Sequence, residues 1–162
     1  MHHVEKVDEA KRQIIFTANG MEANQDPYFL HWYRINFDGT GLMRFTTSNA
    51  MHSVTWSPDA SYYVDTFSRV DMAPVTELRK TSDQSLVVTL ETADMTDLVA
   101  TGWKAPEVFT SKARDGVTDI WGIIIRPTNF DPKKKYPVIE NIYAGPQGSF
   151  VPKTFKIGRA HV

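Results

Sequence analysis

The chain has 162 residues, of which 41% are hydrophobic and 23% charged, with a formal net charge of −1. That balance belongs to a globular protein rather than a disordered one, and so small a net charge gives no electrostatic footprint for nucleic acid or an anionic membrane surface. Cysteine is absent, which excludes disulfides, thiol nucleophiles and cysteine-ligated zinc while leaving the compartment open.

Strand and turn signals alternate over the first two thirds of the chain. The opening Met1-His2-His3-Val4-Glu5 reads as the interior of a longer protein and lacks the apolar core of a signal peptide. Arg12 to Ala18 is β-prone and ends at the turn dipeptide Asn19-Gly20. Tyr28 to Phe37, rich in aromatic and branched residues, runs into Asp38-Gly39-Thr40-Gly41, and Leu42 to Thr46 alternates as a return strand. The pattern then recurs: Ser53 to Trp56, the turn Ser57-Pro58-Asp59-Ala60, and strands Tyr62 to Phe67, Val75 to Lys80 and Leu86 to Leu90. Setting Arg34-Ile35 against Leu78-Arg79 gives a repeat of 78 − 34 = 44 residues. Four strands at that period are the signature of propeller blades, whose two apolar faces only neighbouring blades can cover. A generic β-sandwich is the alternative.

The composition changes after Glu91. Thr92 to Thr101 carries early acidic residues and Leu98-Val99-Ala100, which predicts a short helical turn ending at Gly102. Trp103-Lys104-Ala105-Pro106 reads as a domain boundary. Glu107 to Ala113 and Thr118 to Arg126, joined through Arg114-Asp115-Gly116, predict a hairpin whose second arm is a central strand. Lys133-Lys134-Lys135 follows Asp131-Pro132 and reads as a solvated turn. Val138 to Ala144 is a continuous apolar run suited to a strand buried on both faces, and it delivers Tyr143 to the turn at Gly145-Pro146.

Several residues invite catalytic readings and fail them. The histidines at positions 2, 3, 31, 52 and 161 lack metal-ligand spacing. His31 and His52 fall in blade strands and are read as structural. Asp65, Arg69 and Asp71 form a charged cluster read as an intra-blade hydrogen-bonding set. Ser149 lacks the symmetric glycine pattern of a nucleophile elbow. Trp32, Trp56, Trp103 and Trp121 are read as packing aromatics.

Taken together, Asp26-Pro27-Tyr28-Phe29-Leu30-His31-Trp32-Tyr33-Arg34, Ser57-Pro58-Asp59, Lys112-Ala113-Arg114-Asp115-Gly116, and Tyr136-Pro137-Val138-Ile139 leading to Tyr143-Ala144-Gly145-Pro146 carry a resemblance. In that order the chain resembles the prolyl oligopeptidase family of serine peptidases, in its dipeptidyl peptidase IV branch of bacterial type, from about Arg12 to Phe155. The resemblance implies a mostly β fold: the last blades of a β-propeller over residues 1–104, then the first strands of an α/β-hydrolase domain over 105–156. It further implies a peptide substrate, release of dipeptides from peptide N-termini, and no metal or organic cofactor. It assigns Tyr143 the role of oxyanion donor, with the nucleophile downstream of the chain and the acidic residues that hold the substrate N-terminus upstream. The chain is therefore expected to be an inactive fragment of a larger enzyme. That parent resembles relatives that are exported or membrane-anchored, and that form homodimers. Residues 157–162, Ile157-Gly158-Arg159-Ala160-His161-Val162, correspond to a reading frame of a common sequencing adapter and are expected to be a non-native tail. A non-catalytic propeller-type binding module, and an acylaminoacyl peptidase or oligopeptidase of the same family, are the alternatives.

Overall fold

The computed structural model describes residues 1–143 and 149–156. Two four-stranded antiparallel sheets follow one another along the chain. The first runs β1 (His3–Asp8), β2 (Gln13–Ala18), β3 (His31–Asn36) and β4 (Met43–Arg44) in simple sequence order. The second repeats that meander with β5 (Met51–Trp56), β6 (Tyr62–Arg69), β7 (Met72–Lys80) and β8 (Leu86–Thr92). A short helix, α1 (Thr96–Ala100), leads to a separate two-stranded hairpin of β9 (Glu107–Lys112) and β10 (Asp119–Ile124).

The 44-residue offset read from the sequence maps the third strand of one sheet onto the third strand of the next, β3 onto β7. β1 has no counterpart in the sequence reading. Its charged Glu5 and Lys6 obscure the strand pattern, yet they suit an exposed edge, and a register shift between Val4 and Lys6 marks the bulge where Glu5 accepts the Thr17 hydroxyl at 3.2 Å.

The core lies between the sheets. Ile15, Phe45 and Tyr63 are buried together, with Trp32, Met43, Val54 and Trp56 packed around them. Trp32 of the first sheet meets Trp56 of the second edge-on at 6.2 Å between ring centroids, and Trp56 lies 4.9 Å from Phe45. The Tyr63 hydroxyl, fully buried, donates to the carbonyl of Phe45 at 2.8 Å, so the phenol brings its own polar partner into an apolar contact. The opposite face of the first sheet carries a second cluster of Phe16, Ala18 and Tyr33.

The Ser57-Pro58-Asp59-Ala60 turn closes on its own side chains. Asp59 accepts the Ser57 hydroxyl at 2.6 Å, the Ser61 hydroxyl at 2.6 Å and the Ser61 backbone N–H at 3.0 Å, while Ala60 sits at φ 54°. The Asp115-Gly116 turn is wider than a two-residue hairpin. It spans Ala113 to Thr118, with Gly116 at φ 71° and Asp115 accepting the N–H groups of Val117 and Thr118 at 2.9 Å each.

Two expectations are corrected. β10 is one arm of an isolated hairpin rather than a central strand. Residues 138–143 form no strand among the described residues, and Val138 and Ile139 are 90% and 88% exposed. Their apolar, β-branched character suits burial, but a strand exists only through its partners, and no described segment pairs with this one. Ala144, the last residue of that expected strand, lies outside the described residues, as do Gly145-Pro146 and the tail at 157–162.

Candidate functional site

The loop that precedes the Tyr143 segment is braced over residues 126–136. At the foot of the hairpin, Arg126 Nε pairs with Glu107 at 2.6 Å and its guanidinium stacks over Phe130 at 4.5 Å. The Phe130 ring in turn packs 5.2 Å from Tyr136, whose hydroxyl accepts the N–H of Asp131 at 2.9 Å. From this anchored loop the chain runs through Pro137 to Tyr143, which is 71% exposed with its ring 6.0 Å from that of Phe150. The phenol is thus accessible rather than enclosed in a packed interior.

Beyond Phe150 the chain docks back on the sheets. Lys153 Nζ donates to Asp26 at 2.5 Å, with both side chains less than a tenth exposed. The same ammonium lies 5.1 Å from the ring centroid of Tyr28 and 5.8 Å from that of Trp121. The other Asp26 oxygen accepts the Tyr28 N–H at 2.9 Å, so the carboxylate is held before the lysine reaches it. The Phe155 N–H donates to Ser68 Oγ at 3.2 Å, and the Phe155 ring meets Trp103 edge-on at 5.8 Å. Residues 151–156 therefore form a strap across loop 24–29, β6 and the hairpin. Beneath it lies a cavity of about 160 Å³, lined among others by Phe29, Val70, Trp121, Ile123 and Val151. The Lys153–Asp26 pair, separated by 127 residues, escaped sequence reasoning. Asp26-Pro27-Tyr28 carried a family resemblance but no hint of its partner.

The structural histidines are held in a buried network. His52 Nδ1 faces both Asp65 oxygens at 2.9 and 3.0 Å, and Nε2 faces the Ser48 carbonyl at 2.9 Å. His31 lies 5.0 Å away between Thr46 Oγ1 (3.0 Å from Nδ1) and Gln25 Oε1 (2.9 Å from Nε2). Burial, then the neighbouring His52 and Arg44 charges, lower its pKa to about 4. Neither ring is open to a substrate. The charged cluster separates into two: Asp65 is buried with His52, whereas Arg69 pairs with Asp71 at 2.8 Å and donates to the Asn49 carbonyl at 3.1 Å. The Ser149 hydroxyl donates to the carbonyl of Val151 at 3.0 Å. The tryptophans pack as the sequence suggested, although Trp121 also faces the Lys153 ammonium.

Residues 1–74 match the family described as the dipeptidyl peptidase IV (DPP IV) N-terminal region. The structure superposes on the crystal structure of Porphyromonas gingivalis dipeptidyl peptidase 4 with a TM-score of 0.72 at 20% identity, covering 95% of this chain and 21% of that one. The chain is thus similar to proteins of the dipeptidyl peptidase IV type. Its two sheets accordingly correspond to the propeller region of such proteins. Human dipeptidyl peptidase 8 is 28% identical over 158 residues, covering 93% of this chain and 17% of its own length. A probable dipeptidyl-aminopeptidase B of Blastomyces gilchristii is 31% identical over 145 residues, covering 83% and 15%. The chain thus spans only about a sixth of the length of these curated relatives.

Proposed function

We propose that this chain is the blade-and-junction segment of a serine-type exopeptidase that releases dipeptides from peptide N-termini, with residues 1–104 as propeller and residues 105–156 as the beginning of an α/β-hydrolase domain. In this reading Tyr143 is the oxyanion donor. A serine hydroxyl attacks the scissile carbonyl while a histidine takes its proton, and the carbonyl π-electrons move onto oxygen. The Tyr143 hydroxyl donates a hydrogen bond to that anion. Collapse then expels the amine, which receives the proton from the histidine, and water releases the acyl group by the same steps. A preorganised donor of this kind contributes roughly 3–4 kcal/mol to lowering the barrier.

The observation that carries the proposal is the accessibility of the Tyr143 ring, 71% exposed and 6.0 Å from the ring of Phe150. The likeness to dipeptidyl peptidases supports the substrate class. The test is to express the coding sequence together with its flanking regions and treat the product with a serine-directed fluorophosphonate. Labelling of one serine, blocked by a peptide with a free N-terminus and accompanied by dipeptide release in mass spectrometry, is expected. Dipeptide release without serine labelling contradicts the mechanism, and single amino acids or longer products contradict the specificity.

A further inference from the structure

A second cavity, of about 390 Å³, opens where the β1–β2 turn, β3, the β5–β6 turn and the β7–β8 turn converge. Its lining includes Lys11, Arg34 and Lys80, with Asp59, Thr81 and Ser82. Three cations thus face one carboxylate, and that carboxylate is already engaged by Ser57 and Ser61. Arg34 projects from the face of the first sheet that packs against the second, since it stands opposite Ile15 in register. Its Nη2 reaches only the Met43 sulfur at 3.5 Å, a weak acceptor. Its Nε is buried and has no hydrogen-bond partner among the described residues. Thr81 Oγ1, on the adjoining turn, is likewise buried without one. A guanidinium N–H withdrawn from water without an acceptor is costly, and such groups in native proteins call for an ion or ligand. Both atoms are closed to solvent and lie behind the cavity wall, so the surplus of cations over carboxylates in the lining is what suits an anion.

We propose that this inter-sheet cavity binds a phosphate group, free or carried as a monoester. A tetrahedral dianion accepts hydrogen bonds from several directions at once, which suits a guanidinium and two ammonium groups lining one cavity from three segments. A single carboxylate would leave the cations in excess. The cavity is of the size that holds small organic ligands, so a monoester's carrier group has room beside the phosphate. The site is independent of the peptidase chemistry and involves none of its residues.

The test is equilibrium dialysis of the 162-residue chain against radiolabelled inorganic phosphate, with ionic strength held constant by sodium chloride. Saturable binding of one phosphate per chain is expected, displaced by unlabelled phosphate and not by added chloride. O-phosphoserine, with serine as its control, distinguishes the two sources: displacement by both phosphate and phosphoserine assigns a monoester-compatible site, and displacement by phosphate alone assigns a free-ion site. Lys11 and Lys80 are exposed, so Lys11→Gln/Lys80→Gln is expected to fold normally and to weaken binding at least about tenfold. Arg34→Met is expected to abolish binding without loss of stability in phosphate-free buffer, because it removes the unpartnered donor. Absence of saturable binding, equal displacement by chloride, or affinity unchanged in the double variant overturns the proposal.

Discussion

His52 and Asp65 set the chemistry of the inter-sheet core at the scale of single residues. Their side chains are 0% and 2% exposed and joined by two contacts of about 3 Å, so the pair stands or falls together. Removing Asp65 leaves the buried His52 Nδ1 without its hydrogen-bond partner. Asp65→Ala is therefore expected to destabilise the fold by about 1–3 kcal/mol in urea unfolding at pH 7. A loss under about 1 kcal/mol would contradict a structural role for the pair. His31 supplies a separate pH dependence. Its folded pKa of about 4 lies below the ordinary 6.5, because of burial, His52 and Arg44, opposed by Glu22. In that interval the unfolded chain binds the proton and the folded one does not, so stability is full above about pH 6.5, falls as the pH drops toward 4, and levels below it. Replacing His31 with Gln is expected to flatten the urea-midpoint profile between pH 6.5 and 4; a slope equal to that of the parent chain would assign the dependence elsewhere.

At the scale of elements, most strands of the two sheets were legible because their β-prone residues meet neighbours supplied by the same chain, while the charged edge strand β1 was not. Gln13–Ala18 and Tyr62–Arg69 carry both the pattern and the partners that satisfy it. Residues 138–143 carry the pattern without a described partner, and the strand expectation fails there. A pattern records what burial would suit a segment, not whether the covering strands are at hand. The tie of Lys153 to Asp26 and Tyr28 was not legible, because it joins segments more than a hundred residues apart. The hairpin holds one close approach. Gly122 stands opposite Phe109 in register, and a Cβ at Gly122 would lie 2.4 Å from the Phe109 ring. Because Phe109 is 42% exposed, the ring has room to swing outward. Gly122→Ala is expected to displace it at a cost of about 1–3 kcal/mol, visible as altered Phe109 ring shifts in NMR with the other hairpin amides preserved. Unperturbed ring shifts would contradict the close packing.

The whole molecule is two stacked sheets joined by aromatic packing, with the later chain tied back by one buried cation. Lys153 carries most of that tie, through Asp26, Tyr28 and Trp121. Lys153→Met is expected to release residues 151–156, seen as faster hydrogen exchange at the Phe155 amide with protection in β2 and β6 retained. Exchange equal to the parent chain would show that Ser68 and Trp103 suffice. On the outer edge every residue of β8 is exposed, including Leu86, Val88 and Leu90. An apolar edge strand of this kind templates pairing with other chains, so concentration-dependent self-association is expected in sedimentation velocity, and Val88→Lys is expected to reduce it. A monomer at all concentrations would contradict that expectation.

The peptidase reading rests on the Tyr143 hydroxyl, and removing that single oxygen tests it most directly. Tyr143→Phe, made in the protein expressed with its flanking coding regions and assayed on a chromogenic dipeptide amide, is expected to lower kcat about a hundred- to a thousandfold with little change in KM. A kcat equal to that of the parent protein would contradict the assignment of Tyr143 as the oxyanion donor.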